Sequence, residues 1–309
     1  YYSIRFVDVG EGVKNVMKLS DAEIKRLCEL HDQFEVQVSS IGSPIGKIKL
    51  VDQEDGTHNV YMPIDEYLEK EVPRAISLAH SFGTKLIRGF SFYPPKDADP
   101  WQYVDQAADY VGRVVEKCKA EGVFYGLEVE ANLVGRNGTL LRAIRDRINN
   151  DHLYLIFDGA NIVCQGYDTE ETYHEYTAMK PYIGWMHIKD YERAPGEEWQ
   201  GYVNEEQLNR MVPADQGEHS LETDDAHRRG LFAFLELRID VAHRFARFVA
   251  EARRRHHLRH RLRVDKYRLV LRDFWIHLLQ ARLVRRGVAQ FVGQGCRDFR
   301  AQIVVDKGR

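Results

Sequence analysis

VFYGLEVE (123–130), LYLIFDGAN (153–161) and YIGWMHIKDY (182–191) follow one another across the middle of the chain. Each is a short apolar run that ends in a residue able to hold a metal. The first ends at Glu128 and Glu130, the second at Asp158 and Asn161, the third at His187, Lys189 and Asp190. Side chains on a strand alternate between faces with period two. Read as strands, the runs place Gly126, Glu128 and Glu130 on one face, as they do Tyr154, Ile156 and Asp158, and Trp185, His187 and Lys189. Three strands in succession thus carry a polar, ligand-type residue at the C-terminal end of one face. In parallel α/β architectures that end of the sheet is where sites are built.

Outward from this stretch, strand and helix patterns alternate. SIRFVDVG (3–10) reads as a strand, and SDAEIKRLCELHD (20–32) as a helix opened by a capping box of Ser20 and Glu23. FEVQVSSIG (34–42) is a second strand, the polar stretch 49–59 a loop, and IDEYLEKEVPRAISLAHSFG (64–83) a helix closed by Gly83. Pro73 marks a start or kink within it. TKLIRGFSFY (84–93) is a third strand, and residues 101–122 form a strongly periodic helix ending at Gly122. Helices over 139–148 and 168–181 separate the last three strands. Strict alternation implies a parallel sheet with crossover helices. The fold predicted is a (β/α)8 TIM barrel in incomplete form. Six strands are legible; one is expected before Tyr1, and an atypical last strand is expected in the final hundred residues. A doubly wound open sheet is the structural alternative, although no GxGxxG turn follows the first strand.

At 309 residues the chain suffices for one such barrel. Apolar content of 44% and charged content of 29% are those of an ordinary globular protein. No apolar run approaches the roughly 18 residues that span a bilayer, so no membrane partner is expected. Cys28, Cys118, Cys164 and Cys296 form no CxxC pair, and YYSIRFVDVG shows no secretory signal. Free thiols and a cytoplasmic location are therefore expected.

The net charge of −3 hides an asymmetry. Residues 219–309 hold 19 Arg and 2 Lys against 10 acidic residues, while all nine prolines lie at or before Pro213. The chain accordingly divides into a barrel body, residues 1–218, and an Arg-rich, helical segment, residues 219–309, expected to complete the barrel. For that segment a solvated helical face, a polyanion contact and a shifted reading frame are all compatible with the composition.

Carboxylates on two strands and one imidazole suit a single divalent ion: manganese, magnesium, cobalt or zinc. Beside a hydroxyketone such an ion orients vicinal oxygens and stabilises the charge that develops when a carbon-bound proton leaves. A nearby carboxylate carries that proton as general base. Loss and return of a proton next to a carbonyl is aldose–ketose isomerisation or epimerisation. Lys189 is placed to hold a substrate oxygen or phosphate.

At these residues the sequence resembles the xylose-isomerase-like TIM barrels, the sugar phosphate isomerase/epimerase group. LIFDGAN, GWMHIKDY and GLEVEAN carry the resemblance, with RFVDVGEG and VSSIGSPIGK near the start, over roughly residues 3–218. The resemblance implies a metal held by Glu128, Asp158, His187 and a further Glu, the two Glu residues exchanging the substrate proton. It implies a substrate contact at Asn161. The nearest candidate for the last ligand is Glu236 in LFAFLELR, which lacks the family's following His and glycine-rich loop. The implied activity is isomerisation or epimerisation of a sugar or sugar phosphate. The rivals are an inosose-type dehydratase on the same fold, an abasic-site-endonuclease-like nuclease, and a metal-free binding or assembly module. A nucleic-acid partner is not expected, and a homodimer is compatible with the sequence.

Overall fold

The computed structural model describes residues 1–213 and Gly217. Strand β1 (Tyr2–Ile4) lies at one edge of the main sheet, and β2 (Phe6–Asp8) and β3 (Val13–Asn15) form a separate antiparallel hairpin. The single strand expected over 3–10 is therefore two. The break falls at Arg5, and the DVGEG segment turns the second piece back on itself: Gly10 and Gly12 take φ of 110° and 94°, and Asp8 Oδ1 accepts from both their N–H groups at 2.8 and 3.0 Å. Positive φ comes without steric cost only to glycine, so the chain turns back where a strand would have run on.

Helix α1 (Asp21–Gln33) opens with the expected capping box, Ser20 N–H donating to Glu23 and Glu23 N–H to Ser20 Oγ. Strand β4 (Val38–Gly42) follows. Helix α2 (Ile64–Ser81) runs through Pro73 without ending, and buries Leu68, Val72, Ala75, Ile76 and Ala79 at helical spacing. Strand β5 (Leu86–Gly89) leads through a long loop to α3 (Val104–Ala120), whose buried stripe of Ala107, Val111, Val114, Val115 and Cys118 is its inward face. Then come β6 (Phe124–Glu128), α4 (Gly138–Ile148), β7 (Leu153–Asp158), the short α5 (Ala160–Val163), α6 (Thr169–Met179) and β8 (Ile183–His187). A two-residue ribbon of β9 (Asp190–Tyr191) and β10 (Met211–Val212), with the one-turn α7 (Glu205–Leu208) between them, ends the described chain.

The main sheet has the order β1-β4-β5-β6-β7-β8, every pairing parallel. This is the sequential winding of a (β/α)8 barrel, with six of its strands within the described residues. The doubly wound alternative would have reversed direction from a central strand. Register places Glu128 beside Ile156, and Asp158 beside His187. One apolar core joins the strands to α1–α4 and α6, with Ile41, Leu127, Leu155 and Ile144 fully buried. The strand expected before Tyr1, the segment 219–309 and Glu236 lie outside the described residues. No described helix is long and apolar enough to cross a membrane.

Candidate metal centre

The three strand-end residues converge. Glu128 closes β6, Asp158 closes β7 and His187 closes β8, each on an adjacent strand. One ligand-type atom from each lies within 4.8 Å of those from the other two. His187 Nδ1 is 2.8 Å from Glu128 Oε1 and 3.6 Å from Asp158 Oδ2. Glu128 and Asp158 are 3% and 1% exposed, which is rare for carboxylates unless they are paired or hold an ion.

The charge that compensates them comes from three directions. Arg88 on β5 sets Nη1 3.1 Å from Glu128 Oε2, and its guanidinium stacks 4.6 Å over the Phe90 ring. Gly42 makes room for it: a Cβ there would stand 3.2 Å from Arg88 Nη2 and 2.9 Å from Arg5 Cβ. Lys189 Nζ is 3.3 Å from Asp158 Oδ2 and donates to Asn161 Oδ1 at 3.0 Å. Burial pulls the Glu128 carboxyl upward, but His187 and Arg88 outweigh it and hold it well below the usual carboxylate range. Burial likewise disfavours charge on His187, yet Glu128 and Asp158 raise it to about 9. Lys189 is raised for the same reason, its burial overcome by Asp158 and Glu128.

The pairing is nevertheless incomplete. Glu128 Oε2 and Asp158 Oδ2 are buried and accept no hydrogen bond of normal geometry, although cations stand near both. Both oxygens are thus held by ion pairs, at 3.1 Å to Arg88 and 3.3 Å to Lys189, and keep lone pairs free for a further partner. Two carboxylates and an imidazole around them form a donor set that fits a divalent ion.

Asn161 is brought in by α5. Its Nδ2 donates to Val129 O at 3.0 Å and its backbone N–H to Asp158 Oδ1 at 3.3 Å. Lys189 reaches the site even though β8 stops at His187, so it stands past the strand rather than one alternation along it. Glu130, beyond the end of β6, pairs with Lys47 at 2.5 Å, and Lys47 lies 4.3 Å over the Phe90 ring. The sequence reading missed Arg88 and Lys47. A charged residue in the middle of the apolar run TKLIRGFSFY was the signal available for the first; nothing marked the second.

Sequential winding with carboxylate and imidazole groups at successive strand ends defines a class of barrel. The chain belongs to the xylose isomerase-like TIM barrel family, whose model matches residues 2–227. No curated protein matches the sequence. Among solved structures, the IOLI protein with a bound zinc atom is 16% identical, with a TM-score of 0.52, over 78% of this chain and 75% of that one. A xylose isomerase-like TIM barrel protein from Mycobacterium smegmatis, in complex with magnesium, is 19% identical with a TM-score of 0.46. The match covers 65% of each chain, so this chain spans just under two thirds of that relative's length. The probable 3-DHS dehydratase AsbF from Bacillus anthracis is 15% identical, with a TM-score of 0.45, over 68% of this chain and 74% of that one. At these identities the likeness is one of fold.

Proposed function

We propose that the protein is a divalent-metal-dependent enzyme that isomerises or epimerises a sugar or sugar phosphate by moving a proton next to a carbonyl. The observation that carries this is the convergence of Glu128, Asp158 and His187 from three adjacent strand ends, with one ligand-type atom from each within 4.8 Å of the others. Glu128, Asp158 and His187 would hold the ion. When bound, the ion supplies positive charge beside the carbonyl oxygen as charge develops there.

The chain's own residues do the rest. Glu128, kept ionised by Arg88, accepts the proton from the carbon next to the carbonyl. Lys189 directs its ammonium toward a substrate oxygen. Asn161 is engaged at both ends of its amide, on Val129 O and Lys189, and so orients that ammonium. Glu236 is proposed as the fourth ligand and the group that returns the proton on the opposite face. Residues 219–309 are proposed to supply the strand that carries it. A monomer or a homodimer working in the cytoplasm suits this reading. An inosose-type dehydratase is the second reading, because Lys189 stands beside Asp158 with a proton to give to a departing hydroxyl.

Deuterium exchange tests the step itself. The metal-loaded protein is incubated in D2O with a panel of ketoses and their phosphates, and solvent deuterium on the carbon next to the carbonyl is read by NMR. We expect incorporation for at least one sugar and none with Glu128→Gln. Exchange that persists in Glu128→Gln would remove Glu128 as the base. Loss of a hydroxyl with a new double bond would move the reading to the dehydratase.

A further inference from the structure

A recess opens among the loops that follow the sheet strands. It has a volume of about 480 Å³, and none of Glu128, Asp158 or His187 lines it. Its walls are the loop after β5, the loop after β6 and the segment leading to α7, with Thr57 and Asn59 added from the loop after β4. Small-molecule sites typically occupy 300–1,000 Å³ with aromatic walls and a few placed polar groups. This one has Tyr93, Trp199 and Tyr202 as aromatic faces and Lys96 and Arg136 as donors. Among the described residues neither cation has an acidic partner; Lys96 rests 5.7 Å over the Tyr202 ring.

The walls are braced before any ligand arrives. Val134 N–H donates to Phe92 O at 3.0 Å and Gly135 N–H to Ser91 Oγ at 2.7 Å, tying the first two loops together. Asn132 makes a reciprocal pair with the backbone of Val203, at 2.8 and 2.9 Å, which fixes the third. Backbone strain gathers in the same place. Five described non-glycine residues have positive φ, and Phe92 (67°), Asp97 (65°) and Asn132 (67°) sit in these loops. A bulky residue such as Phe92 at positive φ is a true outlier, and strain of that kind collects at ligand clamps. Along the chain, Asn132 and Leu133 of its lining follow the strand-end Glu128 by four and five residues.

We propose that this recess is a glycosyl subsite: the substrate worked on at the metal centre carries a second polyhydroxylated ring, seated against Trp199 and Tyr202 with Arg136 and Lys96 donating to its hydroxyls. This rests on the isomerase or epimerase reading and names its substrate as a glycosylated sugar. A neutral ring is favoured over a phosphate by the charge. Asp97 and Asp99 line the same recess and match the two cations in number, so the lining carries no excess positive charge to favour an anion. Aromatic faces meet the C–H faces of a sugar ring while paired donors and acceptors meet its hydroxyls.

The test is calorimetric titration of the full-length, metal-loaded protein with fructose, glucose 6-phosphate, maltose and lactulose. Parent, Trp199→Ala, Arg136→Gln and Glu128→Gln are compared, each checked for an unchanged circular dichroism spectrum. We expect at least one disaccharide to bind about tenfold or more tightly than fructose, some 1.4 kcal/mol. That advantage is lost in Trp199→Ala and in Arg136→Gln and kept in Glu128→Gln, which empties the metal centre only. Metal content measured on the same samples separates the two readings: disaccharide binding without metal leaves the subsite standing while the metal reading falls. Equal binding of fructose and both disaccharides, an advantage that survives both recess variants, or a preference for glucose 6-phosphate would overturn the proposal.

Discussion

Two buried acid–cation clusters in this protein contain the same ingredients and end in different states. Lys49 and Asp55, with side chains 8% and 5% exposed, pair at 2.8 Å in the loop that follows β4. Every oxygen there is used: Asp55 also accepts from Thr57 N–H, Thr57 Oγ1 and the N–H of Lys96, while Lys49 donates a second time to Gln53 O. In the cluster of Glu128, Asp158, His187, Arg88 and Lys189, two carboxylate oxygens remain without a proper donor. The first pattern holds a loop. The second brings two carboxylates and an imidazole within reach of one divalent ion, a donor set the first does not have.

Substitutions can break that contrast. The largest effect is expected at Asp158. Asp158→Asn should weaken affinity for zinc or manganese by about 100-fold or more in a competitive chelator titration, beyond the range seen when outer groups of metal sites are lost. In the metal-free protein it also takes away the buried partner of Lys189, so the unfolding midpoint falls as well. Asp55→Asn should act on stability alone. It strands Lys49 in the interior, and breaking a buried pair costs about 3–5 kcal/mol, read as a lower denaturant midpoint with metal affinity intact. If Asp55→Asn weakened metal binding as much as Asp158→Asn, the two clusters would not be separable.

A third, smaller cluster sharpens the comparison through pH. Burial acts to raise the Glu197 carboxyl, but donation from Tyr191 Oη (2.5 Å), Gln207 Nε2 (2.8 Å) and Ala194 N–H (2.9 Å), with Arg210 beside it, brings it down from 4.5 to about 2. A carboxyl depressed in the folded state lends stability that is present above its ordinary value and lost as pH falls through the folded one. Glu197→Gln should therefore cost about 1–2 kcal/mol at neutral pH. The difference from the parent should shrink steadily between about pH 4.5 and 2. A difference that stayed constant over that range would mean the carboxylate's charge is not what holds the segment. Smallest of all, Ser20→Ala should cost about 1 kcal/mol by removing the cap of α1, without touching either cluster.

The winding of the sheet and the three strand-end residues were legible in the sequence for one physical reason. Period-two alternation in short apolar runs fixes both where a strand lies and which end of it is polar. Glu128, Asp158 and His187 end their runs, so their convergence needed only the parallel order of β6, β7 and β8. Arg88 and Lys47 were not legible, because their partners are set by packing across 40 and 83 residues of chain. The hairpin of β2 and β3 was missed because VDVGEG keeps enough apolar character to look like a strand, while its two glycines decide the matter through the backbone. Alternation placed Lys189 on β8, but the strand ends at His187 and the side chain arrives from the two-residue link to β9.

The central claim is that Glu128, Asp158 and His187 hold a divalent ion. Elemental analysis of the purified protein, beside Glu128→Gln, tests it most directly. The account predicts about one equivalent of zinc, manganese, cobalt or magnesium per chain in the parent, after soaking if necessary, and a sharp loss in the variant. A parent that takes up no metal, or a Glu128→Gln protein that takes up as much as the parent, would contradict it.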